Sequence, residues 1–262
     1  MSEVDYSDAW ARSVLAPNPG PMTLAGTNTW VLAEPGSREC VVVDPGPDDE
    51  GHRLAILESV AAGGQRVHTI LLTHGHPDHA DGAVALADAT HAPVRALDPR
   101  HRVGSAGLAA GSDISVDGLR ISVISAPGHT SDSVAFLLPG ARALLTGDTV
   151  LGAGWSVVAH PDGQLGAYLD SLQRLSRVVD EQHVTRILPG HGPIVVDPAQ
   201  RIAAYRQHRA QRLQQVRQAL ADGAVDADAV VEAVYMDVPR ELWPAARLSV
   251  QAQLAYLAQL DG

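Results

Sequence analysis

The stretch THGHPDHADG at residues 73–82 concentrates side chains of the kinds that bind metal ions. Those side chains are His74, His76, Asp78, His79 and Asp81. Imidazole and carboxylate ligands together suit zinc or a similar first-row metal ion. A lone histidine in a loop is most often only a polar residue, but ligands at spacings of two, two and one predict a metal centre.

Three further ligand-type residues follow apolar runs elsewhere in the chain. His129 follows ISVISAPG, Asp148 follows RALLTG, and His191 follows TRILPG. In α/β sheets, ligand sites gather at the carboxyl ends of strands. Glycine beside each position allows a close backbone approach. We therefore expect these residues to meet the 73–82 loop in one site.

Hydrophobic patterning predicts the elements that must position this site. Strands are predicted at 27–34, 39–44, 67–73, 93–97, 114–126 (a hairpin around Asp117-Gly118), 134–148 (two strands) and 184–190, and helices at 50–62, 80–91 and 165–179. Hairpins next to crossover helices favour two packed sheets with helices outside.

The character of the chain changes near residue 198. We predict a domain at 1–198 and a small all-helical appendage at 199–262. Residues 199–221 carry five arginines and no acid, which leaves 14 arginines against 30 acids elsewhere, a net charge of −16. The arginines are Arg201, Arg206, Arg209, Arg212 and Arg217. They form either a solvated helix face, with Ile202, Leu213, Val216 and Leu220 packed inward, or a surface that guides a phosphate backbone.

Composition limits the class of protein. The 262 residues are 45% hydrophobic and carry a net charge of −11, which predicts a globular protein and disfavours a general nucleic-acid or anionic-membrane binder. All 19 basic residues are arginine, a bias typical of a GC-rich genome, so we expect a bacterial source. The single cysteine, Cys40, is expected to be a buried apolar residue. Without a signal peptide or a run near ~20 apolar residues, we expect a cytoplasmic protein with no membrane association.

The motifs together resemble those of the metallo-β-lactamase superfamily. THGHPDHADG matches its HxHxDH signature, and VVVDPG at 41–46 matches an early strand motif that ends near Asp44. His129, Asp148 and His191 match later motifs in order. The resemblance covers about residues 20–197 and implies an α/β (α+β) fold, a four-layer αβ/βα sandwich.

The resemblance also implies a ligand set for two metal ions. The first ion would be held by His74, His76 and His129, the second by Asp78, His79 and His191, with Asp148 as the bridge and Asp44 as a support behind the ligands. We expect two zinc ions, with iron or manganese as alternatives. A hydroxide held between the ions would attack the substrate, and the catalytic carboxylates would be Asp78 and Asp148.

A narrower resemblance points to the β-lactamase-like protein 2 group, within the glyoxalase II-like branch. It lies in NPGPMTLAGTNTWVL (18–32), TGDTVLGAG (146–154), LPGHGP (188–193) and HRAQR (208–212). The implied substrate is an RNA phosphodiester or a small ester or thioester. A glyoxalase II-like thioesterase, of the hydroxyacylglutathione hydrolase type, is the alternative. A lactonase, a β-lactamase and a non-catalytic binding module are weaker interpretations.

Some assignments depend on shape rather than on motifs. Met22, Asn28, Trp30 and Trp155 are predicted either to line a substrate groove or to pack as core and loop residues. The remaining histidines, His208 among them, are interpreted as surface or local structural residues. In this group a winged-helix-like unit follows the sandwich, but little chain remains after the last helix for a β wing. The expected partners are single-stranded RNA or a small-molecule substrate, and a homodimer is possible.

Overall fold

Two five-stranded sheets and seven α-helices form the part of the chain that the computed structural model describes, residues 6–105, 107–236 and 238–260. The strands are β1 (Ala11–Leu15), β2 (Asn28–Leu32), β3 (Glu39–Val43), β4 (Arg66–Leu71), β5 (Val94–Arg95), β6 (Asp113–Val116), β7 (Leu119–Ser125), β8 (Val134–Leu138), β9 (Ala143–Gly147) and β10 (Arg186–Pro189). The helices are α1 (Glu50–Ala62), α2 (Pro77–Ala80), α3 (Ala83–Thr90), α4 (Leu165–Glu181), α5 (Pro198–Ala221), α6 (Ala227–Val234) and α7 (Trp243–Leu260), with 3₁₀ turns at Pro99–His101 and Arg240–Leu242.

Both sheets mix parallel and antiparallel pairs, as the alternation of hairpins and crossovers predicts. The first sheet has the order β1-β2-β3-β4-β5, with parallel pairing from β3 to β5. The second has the order β10-β9-β8-β7-β6, and only its β9–β10 pair is parallel. At the predicted hairpin, Asp117 and Gly118 have φ angles of 44° and 94°. Two successive positive φ angles are what a tight two-residue β-hairpin requires.

Alternating side chains divide the molecule into layers. On β2, Trp30 and Leu32 point into the core between the two sheets, whereas Val31 packs with Ile56 of α1 on the outer face. This alternation follows from the two-residue period of a strand, and here both faces are apolar because both are covered. The predicted four-layer arrangement of helix, sheet, sheet and helix is confirmed.

Helices α4 and α5 cover the outer face of the second sheet. Tyr168 and Leu172 of α4 and Ile202 and Tyr205 of α5 are fully buried in the cluster that packs against this sheet. Asp197 caps α5, with its carboxylate 3.0 Å from the backbone nitrogen of Gln200. The predicted boundary at residue 198 therefore lies in the first turn of a helix that packs against the sandwich.

In the C-terminal region, the described secondary structure consists of α-helices and one 3₁₀ turn, joined by short connections. The second half of α5 packs against α6 and α7 around Val216, Val230 and Val250, each of which is fully buried. The predicted inward packing on α5 is confirmed for Val216, but Leu220 is 37% exposed. Among the described helices, none is long and apolar enough to cross a bilayer.

Two elements differ from the expectation. Strand β1, in a segment with only weak alternation, pairs with β2 as an antiparallel edge strand. The helix predicted at 80–91 is two helices, because Gly82 interrupts it at a close contact with the loop after β3. The Gly82 backbone nitrogen donates to the Gly46 carbonyl at 2.9 Å, and a Cβ on Gly82 would lie 2.9 Å from the carbonyl oxygens of Pro45 and Pro47.

Candidate metal centre

Three histidines from two loops turn ring nitrogens toward one point. His74 and His76 follow β4, and His129 follows β7. His76 Nδ1 lies 3.0 Å from His74 Nε2 and 3.1 Å from His129 Nε2. Imidazole nitrogens this close bring their lone pairs together, which is the arrangement that a shared metal ion satisfies.

A second cluster lies beside the first. His79 Nε2 and His191 Nε2 are 3.3 Å apart. Asp78 Oδ2 lies 3.4 Å from His79 Nε2 and 3.2 Å from His191 Nε2. His191 follows β10, whereas Asp78 and His79 belong to α2. Two imidazoles and a carboxylate in contact form a second group that could hold a metal ion.

Asp148, just after β9, lies between the two clusters. Its Oδ1 is 3.3 Å from His79 Nε2, and its Oδ2 is 3.3 Å from His191 Nε2 and 3.7 Å from His129 Nε2. Oδ1 is buried and receives no well-directed hydrogen bond from the described residues. A buried carboxylate oxygen without a donor is costly unless a cation compensates it. This position fits a ligand shared by two ions.

Asp44 supports the ligands from behind. Its Oδ1 accepts from the Thr73 backbone nitrogen at 2.7 Å, and its Oδ2 accepts from Thr73 Oγ1 at 2.6 Å and from His79 Nδ1 at 2.9 Å. Thr73 Oγ1, having donated to Asp44, accepts from His74 Nδ1 at 3.0 Å. One buried carboxylate thus orients ligands of both clusters.

Hydrogen-bond partners also show which ring nitrogen carries the proton in His129 and His191. His129 Nδ1 donates to the Val157 carbonyl at 2.7 Å, and His191 Nδ1 donates to the Gly26 carbonyl at 3.1 Å. Because a carbonyl only accepts, each Nδ1 must carry the proton, which leaves each Nε2 free to bind a metal.

The two histidine clusters differ in their electrostatics. Burial lowers the pKa of His79, but the carboxylates of Asp148 and Asp44 outweigh it, and the pKa lies well above its usual value. Burial raises the pKa of Asp148, but His79 and His191 hold it well below its usual range. Burial also keeps the pKa of His74 well below its usual value, so its imidazole is neutral, as a ligand must be.

Glycine makes room for the ligands at one place in particular. A Cβ on Gly190 would lie 2.6 Å from Asp148 Oδ1 and 2.7 Å from His79 Cε1. A side chain there would displace ligands of the centre, so the LPGHGP motif needs glycine directly before His191.

A cavity of about 410 Å³ opens from the metal centre toward the C-terminal helices. Met22 and Trp155 line it and are 48% and 42% exposed, and their role in a substrate groove stays a prediction. The groove prediction for Asn28 and Trp30 is wrong. Both are 2% exposed and donate to the Pro189 carbonyl, at 3.1 and 3.0 Å, because they join the first sheet to the strand end that carries His191.

Helix α5 holds the loop after Asp148, a contact that the sequence motifs did not reveal. Tyr205 Oη accepts from the backbone nitrogens of Leu151 and Ser156 at 3.0 and 3.3 Å. Arg201 Nε donates to the Leu151 carbonyl at 3.0 Å, and Arg209 donates to the Ser156 carbonyl. In the sequence, the four-residue spacing of 201, 205 and 209 indicates that these three side chains share one helix face.

The structure corrects the assignment of Arg209 on α5 and gives His208 a specific contact. Arg209 is only 7% exposed, so it does not belong to a solvated basic face. His208, interpreted as a surface or local structural residue, lines the cavity and stacks on Trp155, with ring centroids 4.0 Å apart and an interplanar angle of 1°. Arg206 and Arg217 remain exposed on this helix.

The donor set therefore fits metal ions of the zinc type. Five imidazoles and two carboxylates form three overlapping groups of three residues. Within each group, the ligand atoms lie within 4.8 Å of one another. Mixed nitrogen and oxygen donors of this kind suit zinc and its first-row neighbours. The backbone and side-chain partners behind the ligands hold these donors in place.

Two family models match this chain. The metallo-beta-lactamase superfamily model covers residues 22–191, and the model of the beta-lactamase associated winged helix domain covers residues 227–261. The first includes the metal centre, and the second includes α6 and α7.

Known proteins resemble the chain over most of its length. A beta-lactamase-like protein 2 homolog of Drosophila melanogaster is 32% identical, over 93% of this chain and 86% of that protein. An atrochrysone carboxyl ACP thioesterase of Aspergillus chevalieri is 31% identical, over 87% of this chain and 74% of that protein. A metallo-beta-lactamase family protein of Thermus thermophilus shares the fold, with a TM-score of 0.78 and 24% identity over 96% of this chain and 94% of the other.

Proposed function

The chain belongs to the metallo-beta-lactamase superfamily, and on that premise we propose that it is a hydrolase that uses two zinc ions. The observation that carries the proposal is the position of Asp148 between two three-residue groups of ligands. We assign His74, His76 and His129 to the first ion and Asp78, His79 and His191 to the second.

The chain's own residues have separate roles in this proposal. Bound zinc would lower the pKa of its water to about 7 and polarise the substrate's carbonyl oxygen. Asp78, held by a hydrogen bond of 3.2 Å from Thr27 Oγ1, faces the cavity and orients the attacking water. Val157 and Gly26 keep the Nδ1 atoms of His129 and His191 protonated through their carbonyls, so that both rings turn Nε2 toward the ions.

We propose a small ester or thioester as the substrate. Relatives named atrochrysone carboxyl ACP thioesterase are 31% and 29% identical to this chain, which supports this choice. The cavity volume of about 410 Å³ suits a small molecule. Single-stranded RNA is the second candidate, favoured by Arg206 and Arg217, which lie exposed on a helix that carries no acid.

A substrate panel on zinc-loaded protein tests the proposal. The panel contains acetyl and S-lactoyl thioesters, a homoserine lactone, a chromogenic β-lactam and single-stranded RNA, with metal content measured on each preparation. We expect two ions per chain and thioester turnover, both reduced in His76→Ala. If RNA is cleaved and no thioester is hydrolysed, single-stranded RNA would replace the thioester as the proposed substrate. Fewer than one ion per chain, with no activity on added zinc, would favour a binding module.

A further inference from the structure

The cavity has two chemically different ends. At one end lie the metal ligands His76, Asp78, His129, Asp148 and His191. At the other end the C-terminal helices and the segments between them supply the wall. That wall consists of Tyr235, Val238, Leu242, Ala245, Ala246 and Ser249. Five of these six side chains are apolar or aromatic, so the far end of the cavity is an apolar surface.

The cations in the lining are already engaged within the protein. Arg209 donates to the Ser156 carbonyl, and its guanidinium lies 4.9 Å above the ring of Tyr168. Arg212 Nη1 donates to the Val234 carbonyl at 2.9 Å, and its guanidinium lies 4.7 Å above the ring of Tyr235. Among the described residues that line the cavity, these are the two arginines. A phosphate chain entering here would compete with hydrogen bonds and ring contacts that both cations already make.

The histidine of α5 that lines the cavity is uncharged, unlike the two arginines. His208 stacks face to face on Trp155 at 4.0 Å. Burial, with the charges of Arg209 and Arg212, lowers its pKa to about 4, so it is neutral near pH 7. The Trp155–His208 pair therefore adds a flat, neutral aromatic surface to the apolar wall.

We propose that this cavity binds the apolar acyl chain of the substrate and that the wall from the C-terminal helices sets the chain length accepted. The inference rests on the proposed ester or thioester hydrolysis and names its substrate class. Water supplies an oxygen to the acyl carbon, the bond from that carbon to sulfur or oxygen breaks, and the leaving thiol or alcohol takes a proton. The product is an apolar carboxylic acid.

The size of the cavity predicts a chain-length profile. A volume of about 410 Å³ is near the lower end of the range for ligand pockets, so only a short to medium acyl chain is enclosed. Each methylene group that enters an apolar cavity should raise kcat/KM about fourfold. We expect kcat/KM to rise from acetyl to hexanoyl or octanoyl thioesters and then to level off or fall.

Matched variants on α7 test which residues form the wall. Ala245 lines the cavity, whereas Ala258 is exposed on the same helix and does not line it. For Ala245→Phe, we expect the ratio of octanoyl to acetyl kcat/KM to fall about tenfold or more. Ala258→Phe should keep the wild-type ratio. Leu242→Ala, which enlarges the cavity, should move the optimum to longer chains and serves if Ala245→Phe does not fold.

A binding measurement separates this inference from catalysis. Isothermal titration calorimetry with octanoic acid should show binding to wild-type protein, weakened about tenfold in Ala245→Phe. If zinc-loaded protein hydrolyses no ester or thioester, the proposed function fails. Hydrolysis with a flat chain-length profile, or equal ratios in the two alanine variants, would overturn the acyl-chain inference and leave the proposed function standing.

Discussion

The metal centre and the cavity wall are adjacent, yet the two regions are built from different kinds of residues. A metal centre needs donor atoms at defined points, and the seven side chains that could hold metal ions here are all histidine or aspartate. The wall needs only shape and apolar surface, so alanine, leucine, valine and tyrosine are sufficient. A site of metal ligands is therefore visible in a sequence, whereas the surface that selects a substrate has no chemical signature.

Of the changes considered, removal of the Asp148 carboxylate should have the largest effect on metal binding and turnover. In Asp148→Asn the charge between the two ligand groups is lost, and we expect a loss of bound zinc and a decrease of about a thousandfold or more in turnover. Metal analysis and thioester kinetics measure both. Asp81→Asn changes an exposed acid of the same loop and should keep wild-type metal content. Two ions and full turnover in Asp148→Asn would contradict the assignment.

Acid should lower the free energy of unfolding, because a buried histidine lies near Asp44. His52 Nε2 lies 2.8 Å from Thr29 Oγ1, which donates to the Asp44 carbonyl at 2.6 Å. Burial lowers the pKa of His52 to about 4, below its ordinary 6.5, so the unfolded state binds more protons between these values. Stability is therefore lost as the pH falls through this window.

Urea unfolding of metal-free protein measures this dependence. Between about pH 7.5 and about pH 4.5, wild type should lose about 2–3 kcal/mol more unfolding free energy than His52→Gln. Glutamine keeps a donor for Thr29 but does not titrate. Equal pH dependence in the two proteins would show that His52 is not the group responsible.

The support behind the ligands should matter less than the ligands themselves. Asp44→Asn keeps the size of the side chain but weakens its hydrogen bonds to Thr73 and His79. We expect zinc affinity to fall about 10–100-fold, measured by competition with a chelator. Asp48→Asn, at a carboxylate that is 66% exposed in the following loop, is the control. An unchanged affinity in Asp44→Asn would remove Asp44 from the metal centre.

The smallest effect on activity should come from a substitution on α5. Tyr205→Phe removes the acceptor shared by the Leu151 and Ser156 backbone nitrogens and loosens the loop after Asp148. We expect turnover to fall about tenfold while zinc content stays at the wild-type level. Tyr256→Phe, at a partly buried position of α7 outside the cavity lining, should change neither. A loss of zinc in Tyr205→Phe would place α5 within the metal-binding support itself.

Residues with strong local signals were the most predictable. The turn at Asp117-Gly118, the amphipathic α4 and the ligand-rich loop each carry their information within a few residues. Strand β1 was not predicted because ARSVL alternates weakly and pairs only through its neighbour β2. Arg209 looked like a surface cation, since its spacing from Arg201 and Tyr205 indicates a shared helix face but not that a carbonyl of a distant loop accepts its hydrogen bond.

The sequence by itself determined the fold class and the superfamily, because donor residues and apolar runs recur in a fixed order. It also indicated which strand ends must meet, since ligands to one centre must lie within a few ångströms of each other. Only the tertiary structure decided that Asn28 and Trp30 join strands while Met22 and Trp155 face the cavity. It also placed the C-terminal helices in the wall of the cavity that opens from the centre. Such choices depend on contacts between residues far apart in the chain, and no local sequence pattern encodes them.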